Sequence, residues 1–192
     1  MTEKKRCGWC LQDKLYRDYH DKVWGYPVHD DRKLFEMLLL DGAQAGLSWH
    51  TILMKQDNYR KAFDNFNAEK MICYKQAKIE KLMQNSGIIR NRLKIQAFIT
   101  NAGIFLDLKK EFGSFDKYIW QFTDHKTIIN NPRTLRDIPV TSAESDAMSK
   151  DLKKRGFKFA GSTICYAYMQ SIGMVDDHLV DCWRKRSVKK LK

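Results

Sequence analysis

The stretch from Lys153 to Cys182, KKRGFKFAGSTICYAYMQSIGMVDDHLVDC, limits most sharply what this chain can fold into. Thr141 precedes Glu144 by three residues, the spacing of a capping box, so a helix is predicted to begin there and run to Arg155. Gly156 then stops it, because glycine takes the left-handed conformation of a helix end without a Cβ penalty. Gly161 opens a second helix that ends at Gly173. Two helices joined by a short glycine-to-glycine turn make a helix-hairpin-helix. The start of the second helix offers unpaired N–H groups and a partial positive charge, which suit an anion such as a DNA phosphate. Lys153, Lys154, Arg155 and Lys158 add positive charge around it. Gly156, Lys158, Gly161, Ser162 and Thr163 are the candidate DNA contacts. The plainer reading of such a hairpin alone is an αα-hairpin with a solvated basic face.

A formal net charge of +12 on 192 residues favours a polyanionic partner, nucleic acid before acidic membrane. No apolar run approaches a membrane span, and the basic opening MTEKKRCGWC has no signal-peptide core, so a cytoplasmic protein is expected. With 43% hydrophobic and 30% charged residues, the chain should bury a real core. One compact or two-lobed domain is expected over 1–183, followed by a basic tail over 184–192 with six Lys or Arg, read as a solvated, mobile end.

Helical spacing dominates and period-2 alternation is weak, which predicts an all-α fold. After an aromatic-rich irregular segment from Arg6, Asp30 is expected to cap a helix over Arg32–Asp41 that Gly42 breaks. Ser48 should cap the next, Trp49 to about Phe63. Asn67 caps a short helix and Lys75–Asn85 forms another. A long amphipathic segment spans Arg92–Phe112, and Ser114 caps Phe115–Phe122. The stretch from Thr123 to Pro139 reads as a loop.

Five cysteines, an odd number at irregular spacing, point to thiols or metal ligands rather than disulfides. His178 and Cys182 are four apart, and Cys7 and His20 stand at the other end of the chain. Four soft N and S donors suit tetrahedral Zn²⁺ in a closed structural site that fastens the two ends together. A Cys7–Cys10 knuckle competes with the Cys7–His20 pair, and a buried thiol with a core histidine is the plain alternative.

Taken together, CGW at Cys7–Trp9, YHDKVWGYP at Tyr19–Pro27, LFEMLLLDGAQAGLSW at Leu34–Trp49, NYRKAF at Asn58–Phe63, GIIRNRLKIQAFITNA at Gly87–Ala102 and LKKRGFKFAGSTICY at Leu152–Tyr166 resemble the bacterial 3-methyladenine DNA glycosylase I family. The resemblance runs from Cys7 to Cys182 and places the chain in the helix-hairpin-helix glycosylase superfamily. It implies a monomeric, monofunctional N-glycosylase that flips 3-methyladenine out of double-stranded alkylated DNA and leaves an abasic site. It also implies a structural Zn²⁺ on Cys7, His20, His178 and Cys182, which excludes Cys10 as a ligand. Tyr19 and Trp49 match pocket residues of that family, with Trp9 close by, and Leu47 resembles the wedge that fills the gap left by a flipped nucleotide.

Two positions depart from the family pattern. Asp41 stands where the family usually has the base-contacting Glu, one methylene longer. Asp176 stands where Asn is frequent, at the place of the superfamily's usual catalytic aspartate in the run Val175-Asp176-Asp177-His178. Asp41 is the expected catalytic acid, and Asp176 is expected to cap a turn. Without the surrounding motif, core packing for Trp49 and a helix-end acid for Asp41 are the ordinary readings. The chemistry asks little of the protein: N3-methylation makes adenine a cation and a good leaving group, and aromatic faces and a carboxylate favour a cation. A competing class is a zinc-stapled hairpin module that binds DNA without chemistry. A glycosylase for oxidised or mismatched bases would commonly carry a lysine where Ser162 and Thr163 stand.

Overall fold

The computed structural model describes residues 4–188, and among them the chain is mostly helical. The helices in order are α1 (Lys14–Lys22), α2 (Asp31–Gln44), α3 (Trp49–Ala62), α4 (Ala68–Met71), α5 (Gln76–Gln84), α6 (Arg92–Phe112), α7 (Phe115–Trp120), α8 (Ala143–Lys154), α9 (Ser162–Ser171) and α10 (Trp183–Val188). Local chemistry sets most of their starts. Asp13, Asp30, Ser48, Asn67, Asn91, Ser114 and Ser142 each stand in extended or near-extended backbone and accept a main-chain N–H from the first turn.

At the centre lies α2, buried from Leu34 through Ala43. A helix apolar nearly all round is a core helix, and this one touches α3, α6, α7 and α9. Its end departs from expectation: Gly42 does not break it, and the helix continues to Gln44 before turning at Ala45 and Gly46. Glycine inside a helix costs only about 1 kcal/mol relative to alanine. Here it gives Phe159 room, since a Cβ on Gly42 would meet the Phe159 Cβ at 3.3 Å.

Helices α8 and α9 are joined by a short turn between two glycines. Arg155 ends α8, Gly156 takes φ +92°, and Gly161 in extended conformation precedes α9. The cap of α8 is one residue later than expected. Ser142, not Thr141, is the extended residue, and its partner three residues on is Ser145 rather than Glu144. The Ser142 N–H donates to Ser145 Oγ at 2.8 Å, and the Ser145 N–H to Ser142 Oγ at 3.3 Å. At the exit of α9, Gly173 has φ +76° and lies so close to the Tyr26 main chain that a Cβ would fall 2.4 Å from Tyr26 C. Only glycine fits there.

The all-α class holds, and two details differ from the sequence reading. Ile128–Ile129 (β1) and Val175–Asp176 (β2) pair as two short parallel strands, which ties the 123–139 segment to the hairpin's exit. Two residues per strand are too few to show a period. The segment also holds a short 3₁₀ turn at Leu135–Asp137. The expected solvated tail begins instead as α10, with Arg184 and Lys185 buried. The Arg184 guanidinium lies 3.6 Å from the centre of the Tyr26 ring. Residues 1–3 of the expected domain and 189–192 of the expected tail lie outside the described residues.

Candidate active site and metal-ligand cluster

A cavity of about 360 Å³ opens between α1, α2, α3, α9 and the segment from Leu135 to Val140. That volume suits a flat heteroaromatic ligand. Three of the expected base-binding aromatics, Trp9, Tyr19 and Trp49, line it together with Asp41. The Tyr19 and Trp49 rings are 5.4 Å apart, and Trp9 stands edge-on to Trp24 at 5.1 Å. One wall thus consists of aromatic rings held by one another.

Asp41 is buried at 2% exposure, and its Oδ2 accepts from Ser171 Oγ at 3.1 Å. Burial pushes its carboxyl up to about 8, and the Ser171 hydroxyl only partly offsets this. An isolated carboxylate in an apolar surround takes up a proton unless a cation joins it. Burial, and then the neighbouring Asp41, also drive the Tyr19 phenol well above its ordinary range. Tyr19 therefore stays a neutral hydroxyl beside the acid.

The opposite wall belongs to α9. Thr163, Tyr166, Gln170 and Ser171 line the cavity. Thr163, Tyr166 and Gln170 recur at helical spacing, a signal available in the sequence once that face is known to look inward. Asp177 fixes this wall from behind: its carboxylate accepts from Tyr166 Oη and Gln170 Nε2, each at 2.7 Å, and from Asn130 Nδ2 at 2.8 Å.

The hairpin places the expected DNA contacts as follows. Lys158 sits at its tip, clamped by Asn101, whose Nδ2 donates to Lys158 O at 3.0 Å while its Oδ1 accepts Lys158 N–H at 2.8 Å. Gly161 has open space where a side chain would stand. Ser162 hydrogen-bonds through its hydroxyl to Ser145 and Asp146, so its main-chain N–H is the group at the helix start. Thr163 faces the cavity as well as standing in that first turn. Arg155 does not join the basic fringe: it pairs with Glu111 at 2.6 Å and Asp151 at 2.8 Å. Leu47, an apolar side chain, is 39% exposed in the turn between α2 and α3.

Behind the cavity, the segment that carries Cys7 and His20 meets the one that carries His178 and Cys182. Cys7, His20, His178 and Cys182 are all buried, and one donor atom from each lies within 4.8 Å of the others. Sulfur–nitrogen separations are 3.5 Å for Cys182 to His20 Nε2 and 3.7 Å from His178 Nδ1 to each sulfur. Donors at tetrahedral Zn–S and Zn–N distances lie about 3.5–3.8 Å apart, so these three separations match those around a four-coordinate ion. His20 Nδ1 is 2.8 Å from Asp21 Oδ1, the carboxylate partner that orients a ligating imidazole. Burial raises the Asp21 carboxyl, but bonds from Arg6, His20 and Trp183 outweigh it and hold the group ionised. With a proton shared between the two sulfurs, Cys182 is drawn down toward thiolate and Cys7 up. Cys10 plays no such part. Its thiol points to Cys7 O at 3.1 Å.

Asp176 is fully buried beside this cluster. Its Oδ1 accepts the His178 N–H at 3.1 Å, and its Oδ2 lies 3.0 Å from Lys185 Nζ. It does not line the cavity.

A mostly helical chain with a buried carboxyl and aromatic rings converging on one cavity is built like the all-α DNA glycosylases. The profile of the methyladenine glycosylases matches residues 9–185. The chain is 49% identical to DNA-3-methyladenine glycosylase 1 of Escherichia coli (strain K12) over 93% of its length and 95% of that protein's. Its fold matches a crystal structure of a 3-methyladenine DNA glycosylase I with a TM-score of 0.91, at 48% identity and covering 93% of this chain and 98% of that one. It also matches a tyrosine-to-phenylalanine variant of a 3-methyladenine DNA glycosylase I in complex with 3-methyladenine, with a TM-score of 0.90, at 34% identity and covering 94% and 97% of the two chains. The chain belongs to the methyladenine glycosylase family.

Proposed function

We propose that the protein excises 3-methyladenine from alkylated double-stranded DNA, hydrolysing the N-glycosidic bond and leaving an intact abasic strand. The observation that carries this reading is Asp41, a lone buried carboxyl at the aromatic cavity of Tyr19, Trp49 and Trp9. Relatives bearing that activity in their names, and one solved with 3-methyladenine, support it.

The reaction begins with extrusion of the base, which costs a few kcal/mol. Leu47 fills the vacated stack, and the hairpin from Gly156 through Lys158 and Gly161 to the N–H groups of Ser162 and Thr163 holds the backbone without reading sequence. Inside the cavity, Trp49 and Tyr19 face the base, and stacking contributes about 1–3 kcal/mol. The N3-methylated ring is cationic. Its arrival drives the Asp41 proton out to solvent water, because an adjacent positive charge favours the carboxylate. Asp41 then accepts from the exocyclic amine and holds the ring's charge until the glycosidic bond breaks. Water adds to the anomeric carbon and loses a proton to solvent while the C–N bond breaks and the base leaves neutral, and no lysine stands at Ser162 or Thr163 to form a covalent adduct.

Cys7, His20, His178 and Cys182 are read as the ligands of one structural Zn²⁺. Its chemistry is that of a cross-link between the chain ends, and it takes no part in bond cleavage. The enzyme is read as a cytoplasmic monomer. Release of free 3-methyladenine from methylated duplex DNA, measured by chromatography of the soluble products, tests the activity. Duplex bound but never depurinated would leave only a DNA-binding module.

A further inference from the structure

Lys94 is a buried charged group that the proposed reaction does not use. It stands in the first turn of α6, where Asn91 caps its N–H, and it is 8% exposed. Lysine is rarely buried unless its ammonium is fully engaged. Here Nζ donates to two main-chain carbonyls, Ala43 O at 2.8 Å and Ala45 O at 2.7 Å. Both belong to the last turn and cap of α2, where carbonyls lack helical partners and the helix dipole is negative. Two residues on is Leu47, whose N–H closes the turn on Gln44 O at 2.6 Å. Two residues further, Trp49 begins α3, and Asp41 lies one turn back along α2. Among the described residues, the turn's other main-chain bonds are local, running from Ala45 N–H to Gly42 O and from Leu47 N–H to Gln44 O.

We propose that Lys94 is a positioning residue for opening the duplex: its buried ammonium fixes the turn that carries Leu47. The inference rests on the reading of the chain as a base-flipping glycosylase. An apolar wedge must push against stacked bases, and a turn held only by its own short bonds would yield under that load. Two bonds from a separate helix brace it against the core. Lys94 does not line the cavity, so it bears on extrusion rather than on chemistry there.

Lys94→Met keeps the length of the stem and removes the donors. Excision from duplex DNA should fall by about 10²-fold, the scale on which small misplacements act in catalysis. Excision from single-stranded methylated DNA, where no stack is opened, and binding of free 3-methyladenine followed by tryptophan fluorescence should each change by less than about threefold. Lys94→Arg, which can reach the same carbonyls, should restore most of the duplex activity. A merely structural lysine would lower all three readouts together, and that result overturns the proposal, as does unchanged duplex excision. A double-mutant cycle with Leu47→Ala supplies the second measure: the duplex defects should be strongly non-additive, and additivity refutes the link. If Lys94→Met does not fold, amide exchange at 45–48 in Lys94→Arg against the wild type decides, with unaltered duplex excision in a loosened turn counting against the brace. Failure of the underlying reading is distinct, because the wild type itself would then release no base from either DNA.

Discussion

Ser171 Oγ lies 3.1 Å from Asp41 Oδ2 and 2.9 Å from Tyr168 O, joining α9 to α2 at the cavity wall. One hydroxyl hydrogen cannot serve both acceptors. With Asp41 protonated, the carboxyl donates to Ser171 and Ser171 donates to Tyr168 O. With Asp41 ionised, Ser171 must turn its hydrogen to the carboxylate. Burial sets the balance, holding the carboxyl up at about 8 in the free protein. The value of kcat/KM, which reports free-enzyme groups, should therefore rise with pH through a limb near 8 as the carboxylate forms. Ser171→Ala removes a bond that lowers the carboxyl and should move the limb upward. The stability consequence has the opposite sense. The folded state holds this proton more tightly than the unfolded chain, so Asp41's contribution is present below about 4 and is lost as pH rises toward 8. Excision rates and melting temperatures across pH 5–9 check both, and a flat kcat/KM profile removes Asp41 from the rate.

Asp41→Asn removes the charge while keeping shape. Excision of 3-methyladenine should fall about 10²-fold or more, the usual cost of losing a preorganised electrostatic contact. Binding to undamaged duplex should hardly change, because Asp41 lies inside the cavity. Asp41→Glu should be tolerated far better, since the added methylene, about 1.5 Å, extends into open cavity. Single-turnover rates compare the three proteins. Equal rates for the wild type and Asp41→Asn would reduce Asp41 to a buried helix residue.

Metal analysis of the purified protein should find one zinc per chain. Removing it by chelation, or by His20→Ala, should lower the melting temperature by about 10 °C or more, because binding energy in a closed site is folding energy. Cys10→Ser is the control. Its thiol serves only Cys7 O, so zinc content should stay at one. Loss of zinc in Cys10→Ser would return the Cys7–Cys10 knuckle to the ligand set.

Much of this architecture is legible in the residues because local rules dominate helices. Asp30, Ser48, Asn67 and Ser114 announce their helices by side-chain chemistry alone. The misreadings occur where a distant residue decides. Gly42 reads as a breaker until Phe159 is seen against it. Arg184 and Lys185 read as a solvated tail until Tyr26 and Asp176 are found beneath them. Thr141 reads as the cap of α8 until Ser142 is seen to supply it, because both types can cap and a one-residue register is below what spacing resolves. In the site, Cys7, His20, His178 and Cys182 come together as read, whereas Tyr166, Gln170 and Ser171 were missed because polar residues on a helix face do not show which cavity they meet.

The bare backbone at Gly161 allows a test of the phosphate site free of steric damage. Nothing lies within 4 Å of an added Cβ, and φ is −67°. Aspartate is a favoured N-cap residue, so Gly161→Asp should fold at least as stably as the wild type. Its charge would nonetheless occupy the place of the phosphate. Affinity for every duplex sequence should fall alike, with the loss growing at low salt, where electrostatic contacts count most. Unchanged affinity, or loss for some sequences only, would move the phosphate site elsewhere.

Asp176 is the remaining carboxyl with a claim on the chemistry, and its surroundings argue for structure. Its Oδ2 faces Lys185 Nζ at 3.0 Å, and Lys185 also donates to Asp176 O at 3.2 Å, with both side chains buried. Its Oδ1 holds the His178 N–H. A carboxylate so engaged has little to offer a sugar in a cavity it does not line. Asp176→Asn should leave a buried ammonium without its counter-charge, a loss on the order of 3–5 kcal/mol. The melting temperature should fall by about 10 °C, at roughly 2–4 °C per kcal/mol for a chain of this size. The single-turnover excision rate of the folded protein should stay within about threefold of the wild type, since no contact to the reacting atoms is lost. Pairing Asp176→Asn with Lys185→Met removes the orphaned charge and should recover much of the lost stability, because breaking one side of a buried pair costs more than replacing both. The catalytic alternative predicts the reverse pattern: excision down by orders of magnitude, stability nearly intact, and no recovery from the second substitution.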